Sequence, residues 1–448
     1  MALIAVCSGY LIAPLGLAAV NVAIPALADD LQATASQVGW LPTLYMLGSV
    51  AFMLPVGKLA DMYGRKRMYA LGLLVNAVAA LFCGLSNDIN HVLVWRFVQG
   101  VAGAMIFGTG IAIVTSVTSA KKRGKALGLV ASCVYVGLTA APAAGGYLTD
   151  AFGWRAVFYF QIPFVLVLLA FMLVKLKGEW KSEQQTTFDW SGSALFVLFA
   201  ASLVYGLANL PHATGIACLV GAVGLLSLFV MHQQRQQQPL IRTKLFSENR
   251  MFSLSLATAF FMYASNFAIV FLLSLYLQYV KGFSPSQAGN VLLVQALCMA
   301  VIAPFAGHLA DRFQSRIVAT AGCIAVLCGF IGLNFIDVTS TTVFIILTLA
   351  LVGTGFGLFS TPNNSAIMGA VDAREMGVAS ASMNLARTIG NLFGISLINL
   401  LLQLDLGDTA LSAKYSAEIM HTISVALTIS LVMVVIATLL SMSRGSHQ

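Results

Sequence analysis

Apolar segments of about twenty residues, separated by short polar breaks, run through the whole of this 448-residue chain. The hydrocarbon core of a bilayer is about 30 Å thick, so a helix that crosses it needs about 20 apolar residues. The pattern predicts an all-α polytopic membrane protein. Fourteen membrane-spanning segments are predicted, at residues 2–27, 39–56, 68–85, 92–117, 126–148, 154–174, 190–210, 215–231, 252–279, 287–306, 317–336, 342–360, 378–404 and 419–440.

Composition excludes several classes of protein. Hydrophobic residues make up 59% of the chain and charged residues only 9%, too few charges to cover the surface of a soluble protein. No cleavage pattern precedes the first segment, which we interpret as a retained helix. The seven cysteines lie in apolar segments without metal-ligand spacing, so we expect neither a disulfide nor a metal. The spans contain no zinc-protease or nucleotide-binding motif, so we expect neither a cofactor nor an enzyme.

The positive charges predict the orientation. With fourteen segments and both termini in the cytoplasm, nineteen of the 24 lysines and arginines fall in cytoplasmic loops and three in outer loops. This asymmetry follows the positive-inside rule, so the net charge of +8 indicates topology and not nucleic-acid binding. The two remaining cations, Arg96 and Arg387, lie inside segments.

A repeated motif divides the chain. The sequence G-x-L-A-D follows the second segment at residues 57–61 and the tenth segment at residues 307–311. Parallel repeats of this kind are typical of transporters built from two related bundles. We therefore predict a six-helix bundle at 1–176, an inserted helix pair with its linkers at 177–251, and a second six-helix bundle at 252–448.

Further motifs support one family. The first repeat continues through Gly64 and Arg65 as G-x-L-A-D-x-x-G-R-K-R, and other family-like segments lie at 96–104, 137–146, 153–163, 188–192 and 239–246. On these residues the chain resembles the major facilitator superfamily and, within it, the fourteen-helix drug:proton antiporter family. Two positions depart from that pattern. Gly16 stands where members commonly carry an acidic residue in helix one, and Gln314 replaces the second glycine in the second repeat.

The resemblance implies the major facilitator fold and a bacterial cytoplasmic (inner) membrane protein, surrounded by lipid and monomeric. It also implies proton-coupled efflux of small amphiphilic compounds, as in multidrug efflux, by alternating access. One alternative keeps the fold and reverses the direction, as a proton-coupled symporter that takes up a metabolite. Another is a membrane sensor that transports nothing.

The loop after the second segment is the first candidate site. Asp61 can accept hydrogen bonds from free N–H groups at the start of the third segment, and Arg65 can pair with that carboxylate. Gly64 permits a tight turn. We expect this cluster, with Asp311 in the second repeat, to latch the two halves on the cytoplasmic side. The alternative is that the arginines and lysine of 65–67 only set topology.

Two other motifs carry predicted coupling residues. The resemblance gives Arg96 a role in proton coupling on the cavity side, whereas snorkelling to the outer interface is the alternative. In the fifth segment Gly137, Pro142, Gly145 and Gly146 reduce side-chain bulk and interrupt the helix. The resemblance implies a seal against leak there, and ordinary small-residue packing is the alternative.

The thirteenth segment predicts one wall of a substrate cavity. Asn384, Arg387 and Asn391 share a helical face, and Arg387 lies too deep to snorkel. The alternative is an interhelical hydrogen-bond network. Further polar candidates for the cavity come from other segments: Asn21, Tyr45, Gln99, Tyr263, Asn266, Gln295 and Asn363.

The acidic residues predict the class of substrate. All sixteen aspartates and glutamates fall in loops or at segment ends. A site for a multivalent organic cation needs a buried carboxylate, because an unpaired charge in a low dielectric is costly. We therefore expect a neutral, zwitterionic or anionic substrate. The same absence leaves the proton carrier unassigned.

Overall fold

The computed structural model describes the chain except for residues 34, 120–121, 177, 181–186, 284, 373–374, 407–415 and 445–448. Within helices it leaves undescribed the side chains of residues 15, 17, 18, 21, 25, 35, 36, 38, 39, 142, 143, 267, 268, 271, 285, 286 and 406. The predicted cavity residue Asn21 and the predicted coupling residue Pro142 therefore have side chains outside the described part of the chain.

The described chain is all-helical. The longer helices are α1 (Ala2–Asp30), α2 (Ala35–Tyr63), α3 (Arg65–Leu85), α4 (Ile89–Val117), α5 (Arg123–Phe152), α6 (Arg155–Lys175), α7 (Trp190–Ala208), α8 (Ala213–Arg235), α10 (Arg250–Leu275), α11 (Pro285–Arg312), α12 (Ser315–Asn334), α13 (Thr342–Gly369), α14 (Met376–Leu406) and α15 (Ser416–Met442). The short helix α9 (Lys244–Glu248) precedes α10, and a π-helical turn, Tyr276–Val280, follows α10.

Twelve helices within the described residues are long and apolar enough to cross a membrane. They are α2–α8 and α11–α15, which establishes a multi-pass membrane protein. The helices α1 and α10 contain several of the undescribed side chains, so fourteen spans stays a prediction. Helix starts coincide with capping residues, since Asp88, Asp189 and Thr341 each accept a hydrogen bond from a backbone N–H in the helix that follows.

The helices form two bundles that meet along two seams. In the N-terminal bundle α1 packs on α5, and α4 packs between α2 and α3. In the C-terminal bundle α10 packs on α14, and α13 packs between α11 and α12. The bundles meet where α5 lies against α11 and where α14 lies against α2 and α4. The arrangement follows the sequence repeat, because equivalent helices pair in each half. The domain boundaries 1–176, 177–251 and 252–448 stay a prediction.

The inserted pair covers only one seam. Helix α7 packs on α2 and reaches α14, and α8 packs on the outer side of α7. Val220 and Val223 of α8 are 69% and 67% exposed, as expected for a helix that faces lipid. The seam between α2 and α14 therefore has an additional helix over it, whereas no described helix covers the place where α5 and α11 meet.

Candidate functional site

Asp61, in the last turn of α2, joins the two halves. Its Oδ1 accepts a hydrogen bond from the Gly377 N–H at 3.0 Å, and its Oδ2 accepts one from the Val378 N–H at 3.2 Å. These donors begin α14, where N–H groups lack helical partners and the helix dipole favours a carboxylate. Arg65 Nη2 lies 2.8 Å from Asp61 Oδ1, and both side chains are buried. The predicted Asp61–Arg65 pair is present, within a contact that spans both halves.

The predicted donation from α3 to Asp61 is wrong. The first N–H group of α3, that of Arg65, donates to the Trp180 carbonyl at 2.9 Å, and those of Lys66 and Arg67 donate to the Glu179 carboxylate at 2.8 and 3.2 Å. Gly64, with φ of 120°, turns the chain sharply between α2 and α3. The carboxylate of Asp61 therefore meets α14, and Glu179 from the segment after α6 caps α3.

Asp311, in the last turn of α11, makes the reciprocal contact. Its Oδ1 accepts a hydrogen bond from the Gly124 N–H at 2.8 Å, and its Oδ2 accepts one from the Lys125 N–H at 2.9 Å. Both donors lie in the first turn of α5, in the other half of the molecule. The second repeat thus makes the same kind of contact as the first, although Gln314 replaces its second glycine. Asp61 and Asp311 each cap the fifth helix of the opposite bundle.

The first glycine of each repeat allows the helices to touch. A Cβ added to Gly57 would lie 2.7 Å from the Cβ of Ala381, and one added to Gly307 would lie 2.2 Å from the carbonyl oxygen of Gly124. Distances this short are not tolerated by real side chains. The glycine is therefore required at both seams so that the aspartate four residues later can reach the opposite helix.

The glycines of α5 pack on α1. A Cβ on Gly137 would lie 2.4 Å from the Leu11 carbonyl oxygen, and one on Gly145 would lie 2.7 Å from the Ala19 carbonyl oxygen. Gly146 has more room, with its nearest neighbour 3.9 Å away. This is close packing of small residues inside the N-terminal bundle. The sealing role of these residues stays a prediction.

Arg96 is buried between α4 and α2. Arg96 is 1% exposed, so its side chain does not snorkel to the outer interface. Its Nη1 donates to Gln99 Oε1 at 2.9 Å, its Nε donates to the Leu41 carbonyl at 3.4 Å, and its guanidinium carbon lies 4.9 Å from the centroid of the Tyr45 ring. The predicted residues Tyr45 and Gln99 therefore surround Arg96. No ion pair joins Arg96 to a carboxylate within the described residues.

A side chain from α6 fills the space beside Gly16, the position that lacks the acid common in the family. A Cβ on Gly16 would lie 2.7 Å from Gln161 Oε1. Gln161 is buried and accepts a hydrogen bond from Asn76 Nδ2 at 3.2 Å. The side chain of Gln161 thus occupies the space beside α1 that a carboxylate at position 16 would enter.

Arg387 lies among aromatic side chains contributed by both halves. Its guanidinium carbon is 5.5 Å from the centroid of the Phe107 ring of α4, a cation–π distance. It also neighbours the hydroxyl of Tyr263 on α10. Tyr135 of α5 donates to Ser360 Oγ of α13 at 2.9 Å. Arg387 is half-buried, and no carboxylate forms an ion pair with it among the described residues.

The amides of the predicted cavity fall into separate groups. Asn384 donates to the Phe107 carbonyl at 2.7 Å, across the two halves, and Asn391 lies half-buried farther along α14. Gln295 donates to Asn266 Oδ1 at 2.6 Å inside the C-terminal bundle. Asn363 donates to the Ser255 carbonyl at 3.2 Å, a contact between α13 and α10. An acceptor oxygen without a partner among the described atoms remains on three of these amides, namely Asn384, Gln295 and Asn363.

The structure adds aromatic residues that sequence reasoning missed. Tyr10 donates to the Phe107 carbonyl at 2.8 Å, and Phe356 packs edge-to-face on the already predicted Tyr263 with ring centroids 5.0 Å apart. Together with Tyr135 these residues form the surroundings of Arg387. Aromatic residues are common throughout the apolar segments, so no local signal distinguishes these from lipid-facing ones.

A family model described as Major Facilitator Superfamily matches residues 6–395. The chain belongs to this superfamily. The match confirms the predicted family. Because members of this superfamily are transporters and not enzymes, the prediction that the chain is not an enzyme is also confirmed. The paired bundles and the reciprocal aspartate contacts of this major facilitator agree with that assignment.

Relatives of this major facilitator include named transporters. The riboflavin transporter RibZ of Clostridioides difficile is 30% identical over 87% of this chain and 86% of its own length. The multidrug resistance protein Stp of Mycobacterium tuberculosis is 30% identical over 85% of this chain and 71% of its own length. The drug efflux pump JefA, also of Mycobacterium tuberculosis, is 28% identical over 92% of this chain and 82% of its own length.

A solved structure has the same fold. The human organic anion transporter MFSD10 superposes with a TM-score of 0.70 at 15% identity, covering 96% of this chain and 98% of the other. At this identity the similarity establishes the fold alone.

Proposed function

We propose that this protein is a proton-coupled exporter of small amphiphilic compounds that works by alternating access. The observation that carries the proposal is the pair of reciprocal contacts, Asp61 to the start of α14 and Asp311 to the start of α5. Both lie on the side of the membrane that the positive-inside rule assigns to the cytoplasm. Both contacts form only when the two halves are closed on that side of the membrane.

These contacts suit a reversible gate. Each consists of two hydrogen bonds from backbone N–H groups to one carboxylate, with the helix dipole adding to the attraction. Opening the cytoplasmic side exposes the same groups to water, which can replace the bonds. The gate can therefore open at a moderate energetic cost. In this proposal the bundles rock about the predicted substrate cavity that Arg387 lines, and protons enter as substrate leaves.

We also propose fourteen spans, both termini in the cytoplasm, a monomer, and a bacterial inner membrane. Asp61, Gly64, Arg65 and Asp311 act in gating. The other predicted coupling residues are Arg96, Gly137, Pro142, Gly145 and Gly146. The close packing of Gly137 and Gly145 on α1 supports a tight N-terminal bundle.

The surroundings of Arg387 support a neutral, zwitterionic or anionic substrate. A half-buried guanidinium that has no carboxylate partner among the described residues attracts an anionic group and repels a cation. The half-buried ring of Tyr263 offers a stacking surface for a planar molecule. The names of Stp and JefA support export of drug-like compounds.

Transport by purified protein in proteoliposomes with an imposed pH gradient tests this proposal. Three fluorescent planar probes are compared: fluorescein as an anion, a fluoroquinolone as a zwitterion and ethidium as a cation. We expect flux of the anion or the zwitterion, opposite to the proton flow, and abolished by a protonophore. Flux of ethidium alone would refute the substrate class, and flux that no proton gradient affects would refute the coupling.

Uptake of a planar metabolite is the second candidate. The similarity to the riboflavin transporter RibZ and the aromatic residues around Arg387 favour it. The same proteoliposomes distinguish the two functions, because a symporter moves substrate in the direction of the proton flow. Riboflavin is included as a fourth probe for this reason.

A further inference from the structure

A cavity lies beside the Asp311 contact, at the cytoplasmic ends of the helices. Its volume is about 390 Å³. Residues from both halves of the molecule line it, and those used below are Arg123, Asp311, Gln314, Ser315, Arg316 and Ser365. The cavity therefore spans the seam between the start of α5 and the start of α12.

Two arginines and one aspartate line the cavity, and both carboxylate oxygens of that aspartate already accept hydrogen bonds. Both carboxylate oxygens of Asp311 accept backbone N–H groups from α5. The Nε of Arg123 is buried and has no partner among the described residues. Arg316 uses Nη1 to donate to the Arg444 carbonyl at 2.7 Å, and a guanidinium has four further N–H donors. The described lining is thus rich in donors for an anion.

The N-terminal half has a carboxylate at the corresponding place. Lys66 and Arg316 each lie five residues after the aspartate of their repeat. Each also donates to a carbonyl that follows the sixth helix of its bundle: Lys66 to that of Leu176, and Arg316 to that of Arg444. Beside Lys66, Glu179 caps the start of α3.

In the described part of the C-terminal half, no carboxylate caps the start of α12. Gln314, which precedes α12, makes no side-chain cap. The Ile317 N–H in the first turn of α12 donates to the Gln314 carbonyl at 2.9 Å and not to a side chain.

We propose that a phosphate-bearing ligand occupies this cavity and takes the place that the Glu179 carboxylate holds in the other half. The headgroup of an anionic lipid and a free phosphate both have this chemistry. Guanidinium groups bind phosphate oxygens with paired hydrogen bonds, and the uncapped start of α12 favours an anion. Because Arg123 and Arg316 come from different halves, the ligand stabilises the cytoplasm-closed form.

Thermal unfolding of the full-length protein in a neutral detergent tests the proposal. The probes are phosphatidylglycerol, phosphatidylcholine, and sodium phosphate at matched ionic strength. At roughly one hundred times the dissociation constant, phosphatidylglycerol or phosphate is expected to raise the unfolding temperature by about 3–5 °C. Phosphatidylcholine is expected to give no such rise. A response to phosphatidylglycerol alone identifies a lipid site, and a response to phosphate alone identifies a soluble ligand.

Variants assign the response to the cavity. The double variant Arg123→Gln, Arg316→Gln should lose the rise, whereas Arg67→Gln, whose side chain is 77% exposed in the other half, should keep it. If the double variant does not fold, Gln314→Glu provides an independent test. This variant supplies a carboxylate at the start of α12 and should raise the unfolding temperature without ligand and abolish the response. The proposal is overturned if Gln314→Glu or the double variant responds as the unaltered protein does, or if no anionic probe has an effect.

Discussion

Asp61 and Asp311 occupy equivalent positions in the two halves and cap equivalent helices, yet their surroundings differ. Asp61 is 4% exposed, forms an ion pair with Arg65, and lies on the seam that α7 covers. Asp311 is half-exposed, lies beside a cavity, and forms no ion pair among the described residues. The same motif is therefore expected to make a stronger contact through Asp61 than through Asp311, because burial strengthens an electrostatic interaction.

The two deep arginines differ in a similar way. Arg96 in the N-terminal half is fully buried, with Gln99 and Tyr45 as its neighbours. Arg387 in the C-terminal half is half-buried, with Phe107 and Tyr263 as its neighbours. We infer that the C-terminal arginine provides the charge that meets the substrate, whereas the buried N-terminal arginine, proposed above for coupling, does not contact it.

The largest expected effect separates the two aspartates. Asp61→Asn removes the buried carboxylate that pairs with Arg65, which costs about 3–5 kcal/mol, and should lower the initial transport rate in proteoliposomes by at least about tenfold. Asp311→Asn removes an ion–dipole contact in wetter surroundings and should lower the rate by about threefold. Arg67→Gln is the control. Equal losses in both asparagine variants would remove the distinction between the seams.

The second effect separates the two arginines. Arg387→Gln removes a charge-assisted contact with an anionic substrate, worth about 1.5–3 kcal/mol, and should raise KM for fluorescein by about tenfold or more while KM for a neutral probe stays unchanged. Arg96→Gln should leave KM for both probes unchanged and lower the unfolding temperature. An equal rise in KM for charged and neutral probes in Arg387→Gln would mean that Arg387 is not the selectivity residue.

A third experiment places a charge on the N-terminal wall. Gly16→Asp combined with Gln161→Ala provides a carboxylate where other family members have one, together with the space that Gln161 occupies. Opposite charges attract strongly in a low dielectric, so transport of ethidium should rise by roughly fivefold relative to Gln161→Ala alone. Ethidium transport that stays at the level of Gln161→Ala would show that position 16 does not face the substrate.

The smallest effect concerns the helix pair that covers one seam. Burial alone raises the pKa of Asp189, but hydrogen bonds from the Gly192 N–H at 2.8 Å, from His232 and from Gln233 outweigh it, and the pKa lies below its usual value. A carboxylate with a lowered pKa stabilises the fold above its unfolded pKa of about 3.9, and that stability is lost as the pH falls through the folded pKa.

Unfolding temperatures measured from pH 7 down to pH 3 therefore compare the protein with Asp189→Asn. We expect the two proteins to differ in free energy of unfolding by about 1 kcal/mol or less at pH 7, because asparagine still caps α7. The corresponding difference in unfolding temperature should shrink toward pH 3. A difference that grows as the pH falls would contradict the assignment.

Much of the architecture follows from local sequence. The length of each apolar segment is set by bilayer thickness, and the repeated G-x-L-A-D motif places one aspartate at the end of the second helix of each bundle. The Asp61–Arg65 pair is also predictable, because residues four apart lie on neighbouring turns. The position of all sixteen acids in loops or at segment ends follows from the sequence alone, and it supports the proposed substrate class.

The partners of these residues were decided by tertiary packing. Asp61 meets Gly377, 316 residues away, because α2 lies against α14, and helical periodicity contains no information about which helix becomes the neighbour. The same holds for Glu179 at the start of α3 and for Gln161 beside Gly16. Sequence by itself determined which groups are available and at what depth. Only the packing of the two bundles decided which helix end, ring or carbonyl each group meets, since those contacts join segments that are distant in the chain.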